Sequence, residues 1–215
     1  MPEAETKSLA SEGPGPDEQA AAPLPTLEAL AAEIGTCRIC PLHRGRKIST
    51  AGTGGSRPRL LIIGDWLIHD TVDEVEEAAL FGLQQDRMLA KMMAAIELKT
   101  SQVFVTNVIK CSVDASLKPD PSHIGACLSY LKQQISVLTP QLICTMGAAP
   151  SQALLGSTLP LIRLRGRFHR YRAGNALDIP VMATFHPSFL LKNPEMKQST
   201  WGDLQAIRKK LQSFG

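Results

Sequence analysis

Arg59-Leu-Leu-Ile-Ile-Gly64 is a short, unbroken apolar run closed by a glycine. Such runs form strands buried on both faces, as in parallel sheets, because a strand with one wet face would alternate apolar and polar residues. Three segments downstream repeat the signal: Val103-Phe-Val-Thr-Asn107, Leu142-Ile-Cys-Thr-Met146 and Ile179-Pro-Val-Met-Ala-Thr-Phe185. Helical stripes lie between them. Met88, Leu89, Met92, Met93 and Ile96 mark a helix over 85–96. Asp120-Pro121 supplies an N-cap and a first-turn proline for a long helix carrying Ile124, Cys127, Leu128, Leu131, Ile135 and Leu138. A helix through Leu154 and Leu155 stops at Gly156, and 199–211 closes the chain as another. Strands alternating with helices predict an α/β domain with a mainly parallel central sheet. Ligands of such sheets bind outside the carboxyl ends of the strands. Gly64-Asp65, Asn107 and His186 all fall at those ends, so residues far apart in sequence are predicted to converge on one crevice.

A chain of 215 residues with 44% hydrophobic content can bury one substantial core, which predicts a single domain over 26–215 preceded by a tail. Residues 1–25 are rich in Ala, Pro, Glu, Gly and Ser and lack the large apolar side chains that offset the cost of ordering. The net charge of +3 conceals an asymmetry. Residues 1–30 carry six acids (Glu3, Glu5, Glu12, Asp17, Glu18 and Glu28) against Lys7, whereas 31–215 hold 22 basic and 14 acidic side chains. A basic folded part suits a polyanionic partner such as nucleic acid. The first twenty residues lack the apolar stretch of a secretion signal, and no long uncharged apolar run follows. The expectation is a soluble, cytoplasmic protein that neither enters a membrane nor relies on disulfides.

Five cysteines then need another explanation. Cys37 and Cys40 form a Cys-x-x-Cys pair on a loop, after a short helix (Leu27, Leu30, Ala31, Ile34) that Gly35 stops. Cys111 and Cys127 must be brought to them by the fold. Four thiolates suit either a tetrahedral zinc or an iron-sulfur cluster, and spacing leaves both open. Cys144, inside an apolar strand, reads as a core residue.

The chain resembles the iron-sulfur uracil-DNA glycosylases, the family 4 type of that superfamily, over about residues 34–212. The similarity is carried by Cys37-Arg-Ile-Cys-Pro-Leu42, the strand ending at Gly64, Leu80-Phe81, Thr106-Asn-Val-Ile-Lys-Cys111, Cys127, Leu154-Leu-Gly156, Arg165-Gly166 and His186-Pro-Ser-Phe-Leu-Leu191. It implies a three-layer α/β sandwich and a 4Fe-4S cluster on Cys37, Cys40, Cys111 and Cys127. It further implies a monomeric enzyme that flips uracil from single- or double-stranded DNA and hydrolyses its N-glycosidic bond. By the same resemblance Phe81 matches the side chain on which uracil stacks, Asn107 the amide that reads its polar edge, and His186 the donor that stabilises the departing base. A flipped base needs such a pocket, and a donor aimed at developing charge is worth about 100- to 1000-fold in rate. Arg163, Arg165, Arg167, Arg170 and Arg172 are expected on phosphates, and Leu190 or Leu191 in the space left by the base. His43, His69, His123 and His169 are expected at the surface or on loops.

One stretch departs from the family. Its first motif runs Gly-Glu-x-Pro-Gly, with further acids close behind; here it reads Gly64-Asp65-Trp66-Leu67-Ile68. Asp65 keeps a carboxylate, one methylene shorter, to assist the attacking water. Trp66 and Leu67 are expected to add bulk where the family's pocket is open. Asp70, Asp73, Glu74, Glu76 and Glu77 retain acidity. Gly82-Leu-Gln-Gln-Asp86 replaces the family's glycine-rich stretch after the stacking Phe. Beside an active glycosylase stand two other readings: a DNA- or base-binding relative with little or no activity, and a structural iron-sulfur module that docks a protein.

Overall fold

The computed structural model describes residues 24–69, 79–173 and 177–215. Residues 1–23, and with them nearly all of the expected tail, lie outside the described residues, as do Asp70, Asp73, Glu74, Glu76 and Glu77. In chain order the principal elements are α1 (Leu27–Thr36), β1 (Thr53–Gly54), β2 (Leu60–Gly64), β3 (Ile68–His69), α2 (Leu83–Ala95), β4 (Val103–Asn107), β5 (Val113–Asp114) and α3 (Pro121–Leu138). There follow β6 (Leu142–Met146), α4 (Ala148–Leu155), α5 (Leu161–Leu164), β7 (Phe168–Ala173), β8 (Leu177–Thr184), α6 (Pro187–Lys192) and α7 (Lys197–Gln212). Asp120 caps α3 as its sequence requires, accepting from the Ser122 and His123 backbone N–H groups, while His123 Nδ1 accepts from the Asp120 N–H.

Six strands form the main sheet in the order β1-β4-β2-β6-β8-β7. The central four run parallel, with Gly64 opposite Asn107 and Met146 opposite Thr184, so their carboxyl ends share one rim. β1 and β7 are antiparallel edges. Because side chains alternate across a strand, Leu60 and Ile62 face one side and Leu61 and Ile63 the other. The first pair packs with Leu89 and Met93 of α2 and Leu204, Ile207 and Leu211 of α7. The second packs with Leu131, Ile135 and Leu138 of α3 and Leu154 of α4. Each fully buried Leu or Ile contributes about 1.5–3 kcal/mol, and the two apolar layers make the predicted three-layer sandwich. Cys144 is fully buried in the first of them. Among the described residues no helix is long and apolar enough to cross a membrane.

The arginine-rich stretch becomes α5 and the edge strand β7. Residues after Gly64 form a second, two-stranded parallel sheet, β3 with β5. The Val113 N–H donates to the Leu67 carbonyl (2.8 Å), and Ala115 N–H to that of His69 (3.1 Å). His69 is therefore buried rather than on the surface or a loop.

Candidate functional site

The rim of the sheet gathers the expected cleft residues. Gly64 ends β2, and a Cβ there would lie 2.2 Å from Phe81 Cε1 and 2.9 Å from Asn107 Oδ1, so only glycine permits this approach. Phe81 precedes α2, and Asp86 in the first turn of that helix accepts from the Leu80 N–H (2.9 Å) and the Phe81 N–H (3.1 Å). The departure in 82–86 thus supplies a helix start that fixes Phe81. The Phe81 and His186 rings meet with centroids 4.8 Å apart and planes tilted by 56°.

Asn107 ends β4 and is fully buried. Its Nδ2 donates to the Leu80 carbonyl (2.6 Å) and faces Thr50 Oγ1 at 3.4 Å, which leaves Oδ1 as the free atom. His186 is the N-cap of α6: Nδ1 accepts the Ser188 N–H (3.2 Å) and lies 2.8 Å from Ser188 Oγ. A ring nitrogen that accepts carries no proton, so the neutral imidazole bears its N–H at Nε2. Burial pushes His186 down to about 4, which keeps it neutral at physiological pH. Asp65 points toward Gly147, where φ is +111° and a Cβ would stand 2.5 Å from Asp65 Oδ1. Burial pushes this carboxyl up to about 7.

Five buried side-chain polar atoms among the described residues lack a hydrogen-bond partner, and Asp65 Oδ1, Asn107 Oδ1 and His186 Nε2 are three of them. Buried polar groups are nearly always satisfied, so three orphans along one rim mark a place built for a ligand.

Trp66 packs against the α3-side core and Leu67 is buried beside the β3–β5 ladder. The divergent loop is anchored through its backbone, with Gly64 and Asp65 carbonyls accepting from the Val108 and Ile109 N–H groups (2.9 and 3.2 Å).

Cys37, Cys40, Cys111 and Cys127 line one small pocket, together with Ile34, Lys110 and Tyr130. Arg46 Nη1 lies 3.8 Å from Cys111 Sγ and donates to the Ile34 carbonyl (3.2 Å). Burial pushes the Cys127 thiol up to about 11. Among the described residues no three His, Cys, Asp or Glu side chains are grouped so as to hold a single metal ion.

Two of the expected DNA contacts are corrected. Arg165 is committed to the interior, paired with Asp203 (2.9 Å), donating to the Ser199 carbonyl and lying 5.2 Å from the Phe185 ring centroid. Leu190 is only 2% exposed and cannot enter a duplex. Arg170 is ion-paired with Asp178. Arg172 lies opposite Asp178, six residues and roughly 20 Å down β8 from the rim at Thr184. Arg163 and Arg167 are exposed, and β7 starts beside Met182 near the rim. Leu191 (38% exposed) and Phe189 (39%) stand on α6 next to His186, with Phe189 stacked on Phe185. Gly147 and Thr50 escaped the sequence reading, and Phe189 and Lys110 stood inside quoted motifs with no role assigned. Of these, Gly147 alone carried a usable signal, a glycine directly after a strand.

Comparison with known proteins follows the same lines. The Uracil DNA glycosylase superfamily profile matches residues 51–205. A Type-4 uracil-DNA glycosylase from Pyrobaculum aerophilum is 28% identical over 175 residues, covering 80% of this chain and 87% of the relative. Its counterpart from Sulfurisphaera tokodaii is 28% identical over 189 residues (86% and 84%), and that from Thermotoga maritima 25% over 192 (88% and 96%). With a profile match across most of its length, and with the sandwich and rim described above, the chain belongs to the uracil DNA glycosylase superfamily.

Proposed function

We propose that this chain is a DNA N-glycosylase that flips uracil into the rim cleft and hydrolyses its glycosidic bond. The observation that carries the reading is the set of three unpartnered polar atoms, Asp65 Oδ1, Asn107 Oδ1 and His186 Nε2, beside the Phe81 ring. The relatives' names support the substrate. Uracil stacked on Phe81 offers an N3–H to Asn107 Oδ1, whereas cytosine presents a lone pair there and is repelled. The Asn107 donor is already engaged by Leu80, so recognition rests on the acceptor. His186 Nε2–H donates to the uracil O2. As the N1–C1′ bond breaks, its electron pair passes to the base and is stabilised at O2. The oxocarbenium left on the sugar is captured by water, whose proton goes to the Asp65 carboxylate. The uracil anion leaves and takes up a proton from solvent, Asp65 gives its proton back to solvent, and the products are uracil and an abasic site. Release of free uracil from a uracil-containing oligonucleotide is the test.

For the cysteines the reading is a 4Fe-4S cluster. The four thiols come from three separate segments to line one pocket, and an all-thiolate set of four is the donor set such a cluster takes. Bound there, the cluster would supply a cross-link among α1, the β4–β5 connection and α3. About four irons and four sulfides per anaerobically purified chain are expected; stoichiometric zinc would contradict the assignment.

Arg163 and Arg167 are proposed as phosphate contacts, with Leu191 facing the duplex at the flipped base. Reversing both arginines to Glu is expected to weaken DNA binding across sequences and to reduce the salt slope by about two. An unchanged slope in a binding titration would remove both from the interface. One chain supplies every side chain of the cleft, and the proposal takes the enzyme to act as a monomer, in the cytoplasm.

A further inference from the structure

Lys110 is the largest fully buried side chain of the chain's described residues, 2% exposed, and no step of the proposed reaction uses it. An ammonium group has three donors and is costly to bury unless all are met. All are met here: Nζ donates to Thr106 Oγ1 (2.7 Å), the Asn107 carbonyl (2.7 Å) and Gln134 Oε1 (2.6 Å). Two of the three acceptors belong to the carboxyl end of β4, and one of those is the backbone of Asn107 itself.

The other end of Lys110 holds the same residue by a second route. Its carbonyl accepts from the Thr50 N–H (2.6 Å) and Thr50 Oγ1 (3.2 Å), and that hydroxyl faces Asn107 Nδ2. Gln134 and Thr106 complete the knot, with Gln134 Nε2 and Thr106 Oγ1 both donating to the Ala51 carbonyl. Asn107 is therefore gripped at its main chain and its carboxamide by one network. The network also reaches the cysteine cavity: Lys110 lines it and precedes Cys111, while Gln134 lies about two helical turns beyond Cys127 on α3.

We propose that Lys110 is a positioning residue for base recognition, fixing the Asn107 carboxamide so that Oδ1 faces the cleft. The inference rests on Asn107 being the base-reading side chain. It explains why a fold would keep a buried lysine here: a rigid, hydrogen-bonded network holds a recognition group within the fraction of an ångström that chemistry needs.

Lys110→Met and the milder Gln134→Met test it, the second keeping the lysine in place with one acceptor fewer. Single-turnover uracil excision is expected to fall about 100-fold for K110M and about 10-fold for Q134M. DNA affinity and iron content should match the parent protein, a split that general unfolding would not give. Crystal structures of the variants should show the Asn107 Nδ2 contact to Leu80 lost or displaced. Excision at the parent rate in Q134M, or loss of iron in step with loss of rate in both variants, would overturn the positioning role. If the parent protein itself releases no uracil, the glycosylase reading fails on its own, and the positioning role stands or falls on the Asn107 carboxamide in the variant structures.

Discussion

His186→Ala is expected to slow uracil release about 100- to 1000-fold while leaving the KM for DNA little changed. His186 Nδ1 is occupied by the Ser188 N–H, so the only proton of the neutral ring sits on Nε2, and Nε2 is buried without a partner at the rim. Such a donor gains a full partner only when charge arrives, which is the condition for stabilising the transition state more than the ground state. Because burial holds the ring near 4, the parent enzyme should show no loss of rate from His186 titration between pH 6 and 8. The alanine variant also loses the α6 cap, worth about 1 kcal/mol. His186→Asn separates the two effects: it retains a capping oxygen for the Ser188 N–H and removes the imidazole donor. If the asparagine variant kept the parent rate, the assignment of His186 would be wrong.

Asp65→Asn is expected to cost at least about 100-fold in rate and to flatten the acid limb of the pH profile. A carboxylate raised to about 7 is a stronger base than an ordinary one, yet only its ionised form can take the proton from water. The parent rate should therefore climb as pH rises toward 7 and level above it. Stability runs the other way. The folded chain holds the Asp65 proton more tightly than the unfolded one, so between about pH 4 and 7 Asp65 makes stability fall as pH rises. His186, lowered to about 4, opposes this, its contribution being lost as pH falls below the ordinary histidine value. At pH 8 the Asp65→Asn variant should melt roughly 5 °C higher than its parent, since it no longer buries an ionised carboxylate. A variant that was slower, less stable and unchanged in pH profile would place Asp65 in the scaffold and not in the chemistry.

The central strands were legible in sequence because burial on both faces leaves them largely apolar: β4 and β6 fall on their predicted bounds, β2 begins one residue late, and β8 runs Leu177–Thr184 where 179–185 was predicted. Convergence of Asp65, Asn107 and His186 followed from the parallel sheet alone. The edges were not legible. β1, β3 and β5 are two residues each, too short for any period, and β7 hides in an arginine-rich stretch because alternate positions of an edge strand face solvent. Side-chain fates that depend on distant partners also escaped. Nothing near Arg165 signals Asp203, 38 residues on, and nothing distinguishes the buried Leu190 from the exposed Leu191 beside it. The same holds for Trp66, which lies half-buried against the α3-side core. The remodelled first motif thus keeps its carboxylate at the rim and buries Leu67, with Trp66 packed in part against the core.

The account turns on whether that rim breaks a glycosidic bond, and the most direct measurement is a uracil-release assay. Anaerobically purified protein would be mixed in excess with a single-stranded oligonucleotide containing one uracil, and with the same oligonucleotide containing cytosine. Stoichiometric free uracil and an alkali-labile abasic site from the first, with neither product from the second, is the predicted result. Folded protein that binds both oligonucleotides, yet releases no uracil at stoichiometric enzyme, would contradict it.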